Sequence, residues 1–307
     1  MHFELRQLKA LATVIDEGSF EKAARKLSLT QSAISQRIRQ LEKSLGKILV
    51  IRESPARLTQ DGVKLMRYYR QIEHLQSEMM TEFEVQADTP KTISIGTNAD
   101  SLATWLLDAL SPLIDKYHWR LDIKVDDQDR THEFLHNGDV IGCISSSPTS
   151  ISGCNCFHLG TMVYRSLVSP AYLERYFPDG ITPEAMRAAP YAEYNHKDDL
   201  QKHYLHRYHK VVPAHPPHRV PSTESFLELI AKGHAWGMVP DVQSREFLLS
   251  GQVVELKPDS PLNIELYWHI WDLKSRMSQR LTDAIIQHAR KVLDHPDSSS
   301  EPLPLKS

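Results

Sequence analysis

The stretch from Ser19 to Leu45, SFEKAARKLSLTQSAISQRIRQLEKSL, constrains this chain more than any other. Phe20, Ala23, Ala24 and Leu27 recur at helical spacing and predict one short helix with a single apolar stripe, opened by Ser19 as N-cap. Ser28 and Leu29 make a tight turn. Thr30 then caps a second helix, whose inner face is Ile34, Ile38, Leu41 and Leu45. The outward face near the start of that helix is Gln31, Ser32, Ser35, Gln36 and Arg39. Amides, hydroxyls and a guanidinium over about two turns form a surface that can hydrogen-bond to base edges in a DNA major groove. Two helices so joined are a helix-turn-helix, with the second helix as reader.

An ordinary antiparallel helix pair with a solvated polar face has the same periodicity. Charge separates the two readings. Residues 1–60 hold eleven Lys and Arg against six Asp and Glu, a formal charge of +5, whereas the whole chain carries −3 and the remainder therefore −8. A basic head on an acidic body places phosphate contact at one end. Leu5, Leu8, Leu11, Ala12 and Ile15 predict a helix over Phe3–Asp16 ahead of the motif. The short run Ile48–Ile51, followed by Arg52-Glu53-Ser54-Pro55, predicts a strand pair turning at Pro55. Arg52 and Arg57 on this wing are candidates for phosphate contacts, which position a protein without reading sequence.

Thr59 opens a helix to about Glu84, with Leu65, Tyr68 or Tyr69, Ile72, Leu75, Met79 and Phe83 on a seam. A long helix with such a seam, and no second helix beside it in sequence, calls for a partner chain. Gln86–Lys91 reads as a hinge. From Thr92 the pattern alternates: strands at Thr92–Asn98, Arg120–Val125 and Val140–Ser145, helices at Asp100–Lys116 and Arg130–Asn137. That order gives a parallel sheet. Alternation restarts at Tyr164 and runs to about Asn263, before a strand at Leu262–Trp271 and a helix at Ser275–Leu293.

In such sheets ligands collect at the carboxyl ends of strands. The first strand runs into Thr97, Asn98, Asp100 and Ser101 at a helix start, where free amides and side-chain donors suit a carboxylate and Asp100 suits an ammonium. The second strand ends in Asp126-Asp127-Gln128-Asp129, three carboxylates able to receive a cationic side chain. A solvated acidic turn has the same composition.

Residues 1–62 resemble the N-terminal domain of LysR-type transcriptional regulators. The resemblance rests on Leu8, the GSF of Gly18–Phe20, AARKL at Ala23–Leu27, TQSAISQRIRQLE at Thr30–Glu42, Leu45-Gly46 and LTQDG at Leu58–Gly62. Leu49-Val50 stands where the family usually has Leu-Phe. Farther on, NADSLATWLL at Asn98–Leu107, YFPDGIT at Tyr176–Thr182, LYWH at Leu266–His269 and SRMSQRLTDAI at Ser275–Ile285 resemble the branch of the family that senses lysine and arginine and controls amino-acid export. The resemblance implies an α+β multidomain chain. Its parts are a winged helix-turn-helix over 1–58, a dimerisation helix and hinge over 59–90, and a two-lobe α/β periplasmic-binding-protein-like effector domain over 91–296. Lobe I would take 91–163 and 264–296, lobe II 164–263, with a flexible tail at 297–307. It further implies promoter DNA, RNA polymerase and a second copy of the chain (dimer or tetramer) as partners. Lysine or arginine would be the effector. Asn195, where the branch tends to have an aspartate, and Ser222, Thr223 and Glu224 would be contacts from lobe II. The alternatives are another small anionic effector, a redox signal or, in a different class, a two-lobe solute-binding protein or transferase.

No run approaches the ~18 apolar residues of a membrane span, no secretory signal opens the chain, and three cysteines are too few for a disulfide scaffold, so a cytoplasmic setting is expected. His203, His206 and His209 drift round their helix with no carboxylate or cysteine to complete a zinc set. Cys143, Cys154 and Cys156 raise a redox switch, for which a basic partner and exposure are required. No nucleophile stands in register with Asp283 or His288, and there is no P-loop, GxGxxG or GxSxG. Neither a metal, a cofactor nor catalysis is expected.

Overall fold

The first helix, α1 (Leu5–Glu17), opens with a capping box between Glu4 and Gln7 and ends on Gly18 at φ 64°. That left-handed residue also lets the wing approach. A Cβ there would stand 3.3 Å from that of Pro55, and the Ala56 amide donates to the Gly18 carbonyl at 2.9 Å. This computed structural model describes residues 3–83, 91–126 and 131–294. These form two compact units, Met1–Thr89 with Glu133–Ile141, and Pro90–His132 with Gly142–Ser307.

In the first unit, α2 (Phe20–Lys26) and α3 (Gln31–Leu45) follow the predicted spacing. Thr30 Oγ1 accepts from the Ala33 amide at 3.1 Å, a cap of the kind that is worth ~1 kcal/mol. Leu8, Leu11, Val14, Ala23, Ile34, Ile38, Leu41 and Leu49 form one buried cluster, so all three helices converge on it. The wing is β1 (Val50–Ile51) paired antiparallel with β2 (Arg57–Leu58). Thr59 fastens the start of α4 (Gln60–Glu82), accepting from the Gly62 amide and donating to the Ile48 carbonyl at 2.7 Å.

The apolar residues of α4 divide between two jobs. Met66, Tyr69 and Leu65 pack into the head's core, and Arg70 bridges Asp16 of α1 and Glu73. Farther along, Tyr68, Leu75, Met79 and Phe83 remain 56, 43, 50 and 73 % exposed. Leu65, expected on the seam, therefore belongs to the head.

In the second unit, β3 (Thr92–Thr97), β4 (Arg120–Val125) and β5 (Gly142–Ser145) are parallel with β3 central. A helical run links β3 to β4: α5 (Ala99–Ser101), a π-turn at Leu102–Leu106, and α6 (Leu107–Tyr117) without a break. Next to β5 lies β11 (Leu262–Trp271), antiparallel, and beside it β6 (Cys154–Val168). The 15-residue β6 joins the two lobes. Through Tyr164 it pairs with β11, and from Tyr164 onward with β9 (Gly237–Pro240) and β10 (Val254–Glu255). The first ten residues of β6 were not expected, because Asn155, His158 and Gly160 break the apolar alternation. Gly160 marks a bulge where the register with β11 shifts.

α7 (Thr131–Asn137) precedes β5; lobe II adds α8 (Pro170–Tyr176), α9 (Pro183–Ala188), β7 (Ala192–Glu193), α10 (Leu200–Tyr204) with a π-turn at Leu205–His209, β8 (His218–Arg219), α11 (Thr223–Ala231) and α12 (Asp241–Leu249). The chain returns through β11 to α13 (Arg276–Val292), which packs on α6 and β6 in lobe I. Trp105, Trp268 and Trp236 are fully buried. Gly142 permits one of them, since a Cβ at that position would lie 2.4 Å from the Trp268 ring, and Trp268 Nε1 donates to Thr282 at 3.1 Å. The predicted hinge at 86–91, apart from Lys91, and the predicted tail at 297–307 lie outside the described residues. No helix among the described residues is long and apolar enough to cross a membrane.

Candidate nucleic-acid interface and effector cleft

The inward face of α3 is taken by Ile34, Ile38 and Leu41, which leaves Gln31, Ser32, Gln36 and Arg39 exposed and Ser35 half-buried. Ser32 lies with its hydroxyl 2.9 Å from Thr30, so it shares in the N-terminal cap. Arg39 on α3 and Arg57 on β2 are exposed and have no ion-pair partner among the described residues. Arg52 has partners within the head. Its guanidinium lies 3.6 Å from Glu42 and 5.0 Å over the Phe20 ring, while Glu42 Oε1 accepts from the Leu49 amide at 3.0 Å. Glu42 thus ties the reading helix to the wing, and Arg52 is first a strut in that joint. Sequence reasoning missed Glu42, because its partners are set by the wing's fold-back and not by helical spacing.

Gln36→Ala is expected to relax discrimination among operator sequences by about 1–3 kcal/mol, while Arg57→Ala weakens all duplex DNA alike and lowers the salt slope by about one. Titrations on specific and random duplexes at several salt concentrations check both; equal losses for Gln36→Ala on the two DNAs would remove it as a base reader.

In the second unit, the ends of β3 and β4 meet where the Asp126 amide donates to the Thr97 carbonyl at 3.2 Å. Thr97 and Ser101 are fully buried and Asn98 is 4 % exposed. Asn98 begins the helix as its N-cap residue but does not cap it with its side chain. Both its amide atoms, and the Ser101 hydroxyl, lack a hydrogen-bond partner among the described residues. Leaving such groups unpaired costs about 1–3 kcal/mol each, so a polar occupant at this helix start gains what the fold leaves unmade. Asp100, expected to meet an ammonium, accepts from the Tyr164 hydroxyl at 2.6 Å. Burial first, then the neighbouring Asp100, holds the Tyr164 phenol well above its ordinary pKa, so it remains a donor.

Asp126 reaches lobe II directly: its Oδ1 is 2.5 Å from Lys197 Nζ. Asn195 Oδ1 accepts from the Lys197 amide at 2.6 Å, so its side chain shapes the loop carrying that lysine. Thr223 is buried at the first turn of α11 and its carbonyl accepts from Gln243 at 2.9 Å. Glu224 is exposed and turned to local work. Its own backbone amide and Ser222 stabilise the carboxylate, lowering its pKa. Asp127 lies outside the described residues. Gln201, 1 % exposed with both amide atoms unpartnered among the described residues, and Lys197 were missed. Lys197 meets a partner 71 positions away, a pairing no local pattern carries.

No two of the three cysteines are joined in a disulfide. Burial pushes the Cys143 thiol far above its usual value, and burial also raises Cys156. No group of three or more His, Cys, Asp or Glu among the described residues is arranged to hold a metal.

Residues 5–63 match the bacterial regulatory helix-turn-helix protein, lysR family, and residues 86–294 match the LysR substrate binding domain. The chain belongs to the LysR family of transcriptional regulators. It is 40 % identical over 291 residues to the HTH-type transcriptional regulator ArgP of Serratia proteamaculans, covering 94 % of this chain and 98 % of that protein. The crystal structure of ArgP from Mycobacterium tuberculosis matches with a TM-score of 0.88 at 34 % identity, over 96 % of this chain and all of that one. Full-length LysG from Corynebacterium glutamicum with bound effector Arg matches with a TM-score of 0.79 at 33 % identity, again over 96 % of this chain and all of that one. As a LysR-family regulator the chain is a DNA-binding, effector-controlled protein and not an enzyme.

Proposed function

We propose that this LysR-family regulator binds promoter DNA as a homodimer and senses a basic amino acid, arginine or lysine, in the cleft between the lobes of its second unit. The observation that carries the effector reading is the pair of sites at adjacent strand ends. Asn98 and Ser101 offer unsatisfied donors at a helix start, where a carboxylate is favoured. Asp126, next to Thr97, offers a carboxylate. A basic amino acid carries one group for each, separated by several carbons. The arginine bound to LysG supports the same ligand class here. Thr97, Gln201 and Thr223 are further candidate contacts. Asp100 acts through Tyr164 on β6, where pairing passes from one lobe's strands to the other's. Asp127 stays a candidate on sequence grounds. For the head, Gln31, Ser32, Ser35, Gln36 and Arg39 read bases while Arg57 contacts phosphate. Ligand binding shifts the population of lobe arrangements and, through the dimer, the spacing of the heads. RNA polymerase is the partner through which such a shift acts on transcription.

Arginine and lysine are expected to raise the thermal midpoint according to RT ln(1 + [L]/Kd), and leucine and glutamate to leave it unchanged. Arginine should also alter the footprint on the upstream region of the regulator's own target. Stabilisation by leucine or glutamate, with none by arginine or lysine, would reject the assignment while leaving the DNA-binding function standing.

A further inference from the structure

The Lys197–Asp126 pair joins the lobes. Asp126 follows β4 in lobe I, and Lys197 follows β7 in lobe II, with Nζ 2.5 Å from Oδ1 and side chains 30 and 23 % exposed. The loop carrying Lys197 is itself fixed. Asp198 accepts from the amides of Tyr194 at 2.8 Å and Leu200 at 3.0 Å, and Asn195 accepts from that of Lys197. A lysine side chain thus already sits where the proposed effector would place its own cation.

We infer that Lys197 is a specificity-determining residue of the cleft, an internal cation that competes with the effector for Asp126. The inference rests on the proposed reading of the cleft as a basic-amino-acid site. One ammonium or guanidinium at a time can occupy this face of Asp126. A ligand with a neutral side chain gains nothing from a carboxylate that is already paired, so it leaves the bridge between the lobes closed. A basic ligand substitutes its own charge for that of Lys197 and releases the bridge. Lys197 therefore couples the sign of the ligand's side chain to the connection between lobes. The exchange costs little. Partly exposed pairs of this kind are weak, so the internal competitor reduces effector affinity without abolishing it.

The test uses the full chain, with arginine as probe, in two measurements. In titration calorimetry, Lys197→Met should bind arginine roughly two- to tenfold more tightly than wild type, with Lys197→Arg close to wild type. In reductive methylation followed by mass spectrometry of the peptide, Lys197 of the wild-type chain should become more reactive when arginine is saturating. Binding by Lys197→Met that is unchanged or weaker, or protection of Lys197 by arginine, overturns the inference and leaves the cleft reading intact. If neither wild type nor Lys197→Met binds arginine, the cleft reading fails and the inference with it. Binding by Lys197→Met alone supports both. Circular dichroism of the variants confirms that each chain compared is folded.

Discussion

The double variant Leu75→Glu, Met79→Glu is expected to sediment as a monomer and to lose roughly 10²–10⁴-fold in operator affinity, the advantage that two linked heads have over one. Leu75 and Met79 lie one turn apart on α4 and are 43 and 50 % exposed, in line with Tyr68 and Phe83. In a symmetric pair each contributes twice, at about 1.5–3 kcal/mol for a fully buried side chain of this size. Glutamates there set four carboxylates against one another across the same contact. The head's own core stops at Leu65, Met66 and Tyr69, so the variant keeps its helix content and its weak, sequence-independent attraction to DNA. Leu65→Glu is the contrasting control: it injures the head's packing directly. A double variant that still sediments as a dimer would move the interface off this face of α4.

The helix-turn-helix was legible because its determinants are local. Thr30, Ile34, Ile38 and Leu41 lie within twelve residues of one another, and a cap and an i, i+4, i+7 stripe suffice to predict the face that Gln36 and Arg39 present. The α/β alternation was legible for the same reason, and β4 and β11 begin and end where the sequence placed them. What escaped was made by tertiary pairing. The first two-thirds of β6 is held by β11 across a bulge rather than by its own alternation. Arg52 meets Glu42 and Phe20, partners that lie far from it in sequence. At the candidate cleft, Asn98, Ser101 and Asp126 mark strand ends, whereas Lys197 comes to Asp126 and Tyr164 to Asp100 from segments whose sequence shows nothing unusual. Leu65 taught a related point, since one apolar stripe served two partners and periodicity could not divide it.

Asp126→Asn is expected to weaken arginine binding by roughly 1.5–3 kcal/mol, about ten- to more than a hundredfold. The lower part of that range applies, because the side chain keeps 23 % of its surface exposed and water screens the pair. Ser101→Ala should cost less, since the amides at the start of the helix still face the ligand's carboxylate. The substitution also removes the charge that Lys197 pairs with, but Asn keeps the size and the fold of the strand end, so the loss reads on the ligand. Titration calorimetry of the full chain with arginine, wild type beside Asp126→Asn, is therefore the most direct measurement. The account predicts saturable binding by wild type and a loss of at least tenfold in the variant. No heat from arginine or lysine with the wild-type chain, or equal affinity in both proteins, would contradict it.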